Sequence, residues 1–132
     1  MADADNNITT FSFEKMDAYV YARDFVKNIY ELQKQFPREE LFALGSQVRR
    51  AATSITANIA EGSGRNSNKE KSHFIEIAFG SLTEVFSELQ TAQDLGYITE
   101  NSLDNLRPQF SRLAKILSGL RKSYTSPLNI KP

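Results

Sequence analysis

The 132 residues contain no cysteine and no tryptophan, a single histidine, and no net charge, with 16 basic against 16 acidic side chains. Without cysteine there is no disulfide, no thiol nucleophile and no zinc-thiolate centre. This fits a reducing, cytoplasmic setting. No run of about 18 apolar residues is present, so no membrane-spanning helix is expected. The opening residues, Met1–Thr10, are polar and acidic, and lack the basic start and apolar stretch of a secretory signal. Strand-like alternation, internal repeats and low-complexity segments are also missing. A neutral balance argues against a chain built throughout to bind polyanions.

One histidine restricts the chemistry further. His73 forms Glu-x-x-His with Glu70, half of the di-iron carboxylate motif, but that centre needs two such pairs and two further inward carboxylates. The bland reading is a capping glutamate beside an exposed histidine. A Ser-His-Asp set would also have to use His73, and no nucleophile elbow is present. Gly62-Ser63-Gly64 is no phosphate loop, because no strand precedes it and no Gly-Lys-Ser/Thr follows. No catalytic residue, metal, cofactor or small-molecule substrate is therefore implied.

What is present is helical periodicity. The length suits one domain with a real core. Residues 1–11 read as a flexible arm, 12–125 as the folded unit and 126–132 as a short tail. A first helix is predicted over about Phe13–Gln35, capped by Ser12, with Ala22, Phe25, Ile29, Leu32 and Phe36 as its stripe. Phe36-Pro37 ends it. A second helix starts near Ser46 and buries Val48, Ala52, Ile55 and Ile59, with Gly62 as a left-handed C-cap. The third starts at Ser67, where Ser67 and Glu70 make a capping box, and carries Ile75, Ala78, Leu82, Val85, Leu89 and Ala92. Thr99 caps the fourth. Its seam of Leu103, Leu106, Phe110, Leu113, Leu117, Leu120 and Tyr124 alternates steps of three and four, with a kink or restart expected at Pro108. Short connections between four such helices predict an all-α, antiparallel up-down-up-down four-helix bundle.

The second helix also carries a polar row: Gln47, Arg50, Ser54, Asn58 and Glu61. A buried polar row needs partners. Arg49 or Arg50 is expected to pair with Glu61 or Glu84 across packed helices. These residues, Gln47, Arg49, Arg50, Ser54, Asn58, Glu61 and Glu84, make up an expected structural network.

Charge is unevenly spread. Residues 72–105 hold six acidic and no basic side chains, and residues 106–132 hold six basic and no acidic ones. Two readings stand. Oppositely charged helices pack side by side, within or between chains, or the basic segments form a surface for an acidic partner. On the second reading Arg65, Lys69 and Lys71 flank the start of the third helix, and Arg107, Arg112, Lys115, Arg121 and Lys122 line the fourth, as a candidate phosphate-following stripe. Tyr19, Tyr21 and Tyr97 are the candidates for exposed stacking aromatics, with core packing or plain surface scatter the commoner role for such residues. Extra apolar residues beyond one stripe per helix (among them Val20, Tyr30, Ile77 and Phe79) suggest burial between subunits.

Phe36-Pro37, Glu40, Leu44, Gln47, Arg49-Arg50-Ala51, Ser54-Ile55, Asn58-Ile59-Ala60-Glu61-Gly62 and Gly64-Arg65, followed by Phe74–Glu84 and Asp94–Ile98, resemble a known signature. It is that of the bacterial four-helix-bundle family named for proteins encoded in intervening sequences of 23S ribosomal RNA genes. The accessory variability protein of diversity-generating retroelements is a relative. The resemblance covers about residues 13–124. It implies the bundle fold, a homopentameric ring and, through the retroelement relatives, binding of nucleic acid and reverse transcriptase on a basic surface. This chain departs from those relatives in being neutral. The leading expectation is a non-catalytic oligomeric binding or scaffold protein with RNA or a nucleoprotein as partner. The alternative is a protein adaptor whose charges serve ring assembly.

Overall fold

The computed structural model describes residues 8–125. The first seven residues of the expected arm and the expected tail, 126–132, lie outside the described residues. Four α-helices carry the fold: α1 (Asp17–Leu32), α2 (Leu44–Ser63), α3 (Asn68–Asp94) and α4 (Glu100–Thr125). Short 3-10 turns occupy Ser12–Lys15, Gln33–Gln35 and Arg38–Phe42. No strand occurs among the described residues.

Contacts between neighbouring helices run in opposite directions. Ser54 meets Ser81 while the later Gly62 meets the earlier Phe74, so α2 and α3 are antiparallel. Phe86 packs on Phe110, and Glu76 reaches Arg121, which sets α3 against α4 in the same way. Phe25 packs on Phe110, and Gln35 bonds Ser102, which closes α4 back onto α1. The end of α1, with Gln33 just beyond it, sits beside the start of α2 at Gly45. The bundle is therefore up-down-up-down, with the α1–α2 side opposite the α3–α4 side.

The buried stripes are the ones the periodicity predicts. Phe25, Ile29, Val48, Ile55, Ile59, Ile75, Val85, Leu89, Leu113 and Leu117 are fully enclosed. Leu106, Leu120 and Tyr124 on the seam of α4 pack against this core while partly exposed. Phe110 takes edge-to-face contacts from both Phe25 and Phe86, at 4.8 and 5.0 Å between ring centroids. Such pairs add about 0.5–1.5 kcal/mol each beyond area burial.

Two predicted caps are formed. The Ser67 hydroxyl accepts from the Glu70 N–H at 3.1 Å, and the Thr99 hydroxyl accepts from the Ser102 N–H at 3.0 Å. Phe36 is extended ahead of Pro37, and the chain leaves the helix there.

Two expectations need correction. The first helix is not continuous from Phe13, and Ser12 is not its cap. Met16 is extended (φ −67°, ψ 132°) and separates a 3-10 turn from α1. The Glu14 carboxylate closes that turn by accepting from the Phe11 N–H at 2.7 Å, and Phe13 folds back edge-on against Tyr19. Gly62 is not a left-handed cap. It is buried inside α2, where a Cβ would stand 3.0 Å from the Phe74 Cβ, so the missing side chain serves close helix approach. The left-handed glycine is Gly96, at φ 80° in the α3–α4 turn. As the unbroken phase of its seam predicts, α4 continues through Pro108 as one helix. The carbonyl deprived of its donor belongs to Asp104, on the exposed side, where water can serve it.

Candidate nucleic-acid interface

The fourth helix carries its cations on three separate lines, because positions seven apart share a line while positions three or four apart straddle it. Arg107 and Arg121 lie on the flank facing α3. Arg107 spreads over the Phe86 ring at 5.0 Å and pairs with Asp104 at 3.0 Å. Arg121 donates to Glu76 of α3 at 2.8 Å. Arg112 leans the other way, 5.7 Å from the Tyr21 ring of α1. Lys115 and Lys122 stand on the outward line, both exposed. The single stripe expected from sequence is thus divided, with Arg107 and Arg121 partly neutralised from within the chain.

The second basic group is brought to the far end of α4. Lys71 lies 5.7 Å from the Tyr124 ring, which places the first turn of α3 beside the last turn of α4. Lys69 is exposed on that first turn. Arg65 is paired with Glu61 one turn back and covers the Phe74 ring at 4.6 Å. Its Nε is shut off from solvent without a hydrogen-bond acceptor among the described residues. Among those residues no carboxylate comes within ion-pair distance of Lys69, Lys71, Arg112, Lys115 or Lys122.

The aromatics proposed for stacking are taken. Tyr19 packs on Phe13, Tyr21 lies beneath Arg112, and Tyr97 packs on Phe36 at 5.8 Å. Burial and the neighbouring Glu40 and Glu39 raise the Tyr97 phenol above its ordinary value.

The residues of the expected polar network fall into separate groups, with different pairings from those expected. Ser54 accepts from the Ser81 hydroxyl at 2.9 Å and from Asn58 Nδ2 at 3.0 Å. Asn58 also donates to the Ser54 carbonyl at 2.8 Å. Arg49 does not pair with a carboxylate. It donates to Gln33 Oε1 and to the Leu41 carbonyl, each at 2.8 Å, while Gln33 donates to the Gly45 carbonyl at 2.9 Å. Glu61 is held by Arg65 instead, because the two lie one turn apart on the same surface. Gln47 is exposed on the outer end of the row. Glu84 turns to Glu88, one helical turn on. Burial, then the hydrogen bond and charge of Glu84, push the Glu88 carboxyl up to about 7, while Arg50 opposite pulls it down.

Gln33 was not among the expected network residues. The signal was available: it lies four residues after Ile29, so a polar side chain falls on a buried stripe. Glu70 caps with Ser67, His73 is exposed with its ring edge-on to Phe74, and no three metal-ligating side chains gather among the described residues. No helix among them is long and apolar enough to cross a membrane.

The sequence matches the profile of the 23S rRNA-intervening sequence protein family over residues 14–119. It is also similar to a solved structure from Bacteroides thetaiotaomicron, described as a protein with unknown function from the S23 ribosomal protein family. That likeness has a TM-score of 0.72 at 24% identity, and covers 80% of this chain and 98% of the other. At this identity it carries the fold alone. No curated protein matches the chain.

Proposed function

The chain belongs to the 23S rRNA-intervening sequence protein family, and from that membership we propose that it is a non-catalytic, self-associating binding protein. Its partner on this reading is RNA, free or within a nucleoprotein, held by its phosphate backbone on the outward side of α4. The observation that carries the proposal is the set of cations left without a carboxylate among the described residues: Arg112, Lys115 and Lys122, with Lys69 and Lys71 at one end. An exposed lysine gains little from a surface ion pair, but several along one helix can displace counterions from a polyanion together. Arg112, on the side toward α1, and the outward Lys115 and Lys122 together span about 15 Å along α4 at the α-helical rise.

The rival reading assigns the charges to subunit assembly. It is favoured by Arg107 and Arg121, which already answer carboxylates, and by Val20, Tyr30, Ile77 and Phe79, which remain exposed in the single chain. The two readings divide the cations and do not exclude each other.

The deciding experiment is RNA binding across a salt series, comparing the parent with a triple variant carrying Arg112→Gln, Lys115→Gln and Lys122→Gln. The parent should bind in a salt-sensitive manner. The variant should keep its assembly state and flatten the log–log salt slope by about two to three, near one per phosphate contact removed. Equal binding by the variant, or no binding by the parent at low salt, would leave the basic face to protein contacts.

A further inference from the structure

Phe42 is 87% exposed, the most exposed of the large apolar side chains among the described residues. It is not on a loose loop. The turn Arg38–Phe42 is tied down by Arg49, which holds the Leu41 carbonyl and the buried Gln33, and Gln33 in turn holds Gly45. The Ala43 N–H closes the turn on the Glu40 carbonyl at 3.1 Å, and a side chain on Gly45 would crowd that same carbonyl at 3.0 Å. The residues on either side of Phe42 are therefore fixed, and the ring is presented to water by a built support.

On the opposite side of the bundle, between α3 and α4, lies an unfilled apolar hollow of about 380 Å³. Its floor is Leu82, Phe86, Phe110 and Ala114, and Phe79, 38% exposed, forms one wall. Arg107 stands at its rim, and the Phe42 turn carries Glu39 and Glu40. The Phe42 turn sits at the α3–α4 connection end of the bundle, where Phe36 packs on Tyr97, and the hollow lies nearer the middle of α3 and α4.

We propose that Phe42 of one copy inserts into the α3–α4 hollow of the next copy, with Glu39 facing Arg107. The occupant is a second copy because this chain supplies both halves of the contact with matching charge. Knob and hole are different surfaces of one chain, so the contact is head-to-tail and repeats from copy to copy. This rests on the self-association part of the function proposed above and specifies its surfaces. It also sorts the cations: Arg107 and Arg121 border the buried side of α4, while Arg112, Lys115 and Lys122 stay outside the contact.

The test is the mass of the full chain in solution at micromolar concentration, by light scattering, with helix content checked by circular dichroism. Phe42→Ala removes the knob. Ser111→Trp, at an exposed position on the hollow's edge, fills the hole without touching the core. Each variant alone should be monomeric, with assembly weakened roughly 30-fold or more, as for loss of a buried aromatic anchor. An equal mixture should form a species of two copies and no larger, because only one productive contact is left. Arg107→Glu should weaken assembly as well, and Glu39→Lys in the same chain should restore it. Assembly of Phe42→Ala at the parent's mass, or a mixture that stays monomeric, overturns the contact while leaving self-association standing. A parent that is itself monomeric overturns both.

Discussion

Arg49 on α2 bridges Gln33 and the Leu41 carbonyl with two hydrogen bonds of 2.8 Å, so one guanidinium fixes the end of α1 and the turn that follows it. Gln33 is nearly without solvent access, and its remaining bond goes to the Gly45 carbonyl. Arg49→Met keeps much of the stem volume but strands two acceptors. A buried acceptor left unpaired costs about 1–3 kcal/mol. The variant should therefore unfold at clearly lower urea concentration with an unchanged m value. An unmoved midpoint would mean that water replaces the guanidinium there.

Glycines in the helices separate by what surrounds them. Gly62 faces Phe74 across the α2–α3 contact, and an added Cβ would meet the Phe74 Cβ at 3.0 Å and the Lys71 carbonyl at 3.4 Å. Neither atom is the far end of a flexible side chain, so the helices must part. Overpacking of this kind costs about 1–3 kcal/mol, against a helix-propensity gain of at most about 1 kcal/mol. Gly80 and Gly119 have nothing within 4 Å of such a Cβ. Alanine at either should stabilise by about 0.5–1 kcal/mol. Thermal melts of the three single variants should show one loss and two gains, and a gain at Gly62 would contradict the close approach.

This contrast shows where the sequence is informative. The core stripes are legible because burial repeats at helical spacing, as in Ile75, Leu82, Val85 and Leu89. Ser67 and Thr99 are legible as caps because their chemistry is local. Gly62 misleads because a glycine near a helix end satisfies two demands, a left-handed turn or a close neighbour, and only the packing of α3 decides between them. Ser12 misleads because the chain makes a separate turn there, closed by Glu14 on the Phe11 N–H, and α1 begins only after the extended Met16. In the candidate site, periodicity places the cations outside the seam of α4. It does not tell which of them find a carboxylate on α3 or an aromatic face on α1, since that depends on which helices are neighbours. The exposure of Phe42 has no sequence signal either, because it follows from the clamp that Gln33 and Arg49 form.

Thr99 should matter beyond its own cap. Its hydroxyl accepts from the Ser102 N–H at 3.0 Å and lies 2.8 Å from the Ser102 hydroxyl, which accepts from Gln35 Nε2 at 2.9 Å. The start of α4 is thus joined to the end of the α1 segment through one side chain. Loss of a threonine cap costs about 1 kcal/mol. Thr99→Ala should lose that amount, and in a background of Gln35→Ala it should lose less, because the shared link is already gone. Strictly additive losses in a double-mutant cycle would show that the cap and the link act separately.

Glu88 supplies a pH dependence with a definite sign. Its carboxyl is raised from 4.5 to about 7, first by burial and then by Glu84. One carboxylate oxygen is closed to water without a hydrogen-bond partner among the described residues. Between those two pH values the folded chain holds a proton that the unfolded chain has released. Stability from this group is therefore highest below pH 4.5, falls as pH rises toward 7, and is level above that. Glu88→Gln carries the neutral form at every pH. Relative to the parent it should be neutral near pH 4.5 and more stable above pH 7. The gain should be on the order of 1 kcal/mol, since Glu88 is only partly buried and water screens the rest of its carboxylate. Glu84→Gln should shrink the same slope without abolishing it, because burial, the larger cause, remains. Urea midpoints of parent and variants across this range give the difference directly, and a parent that gains stability relative to Glu88→Gln as pH rises would mean that Arg50, not burial, controls the carboxyl.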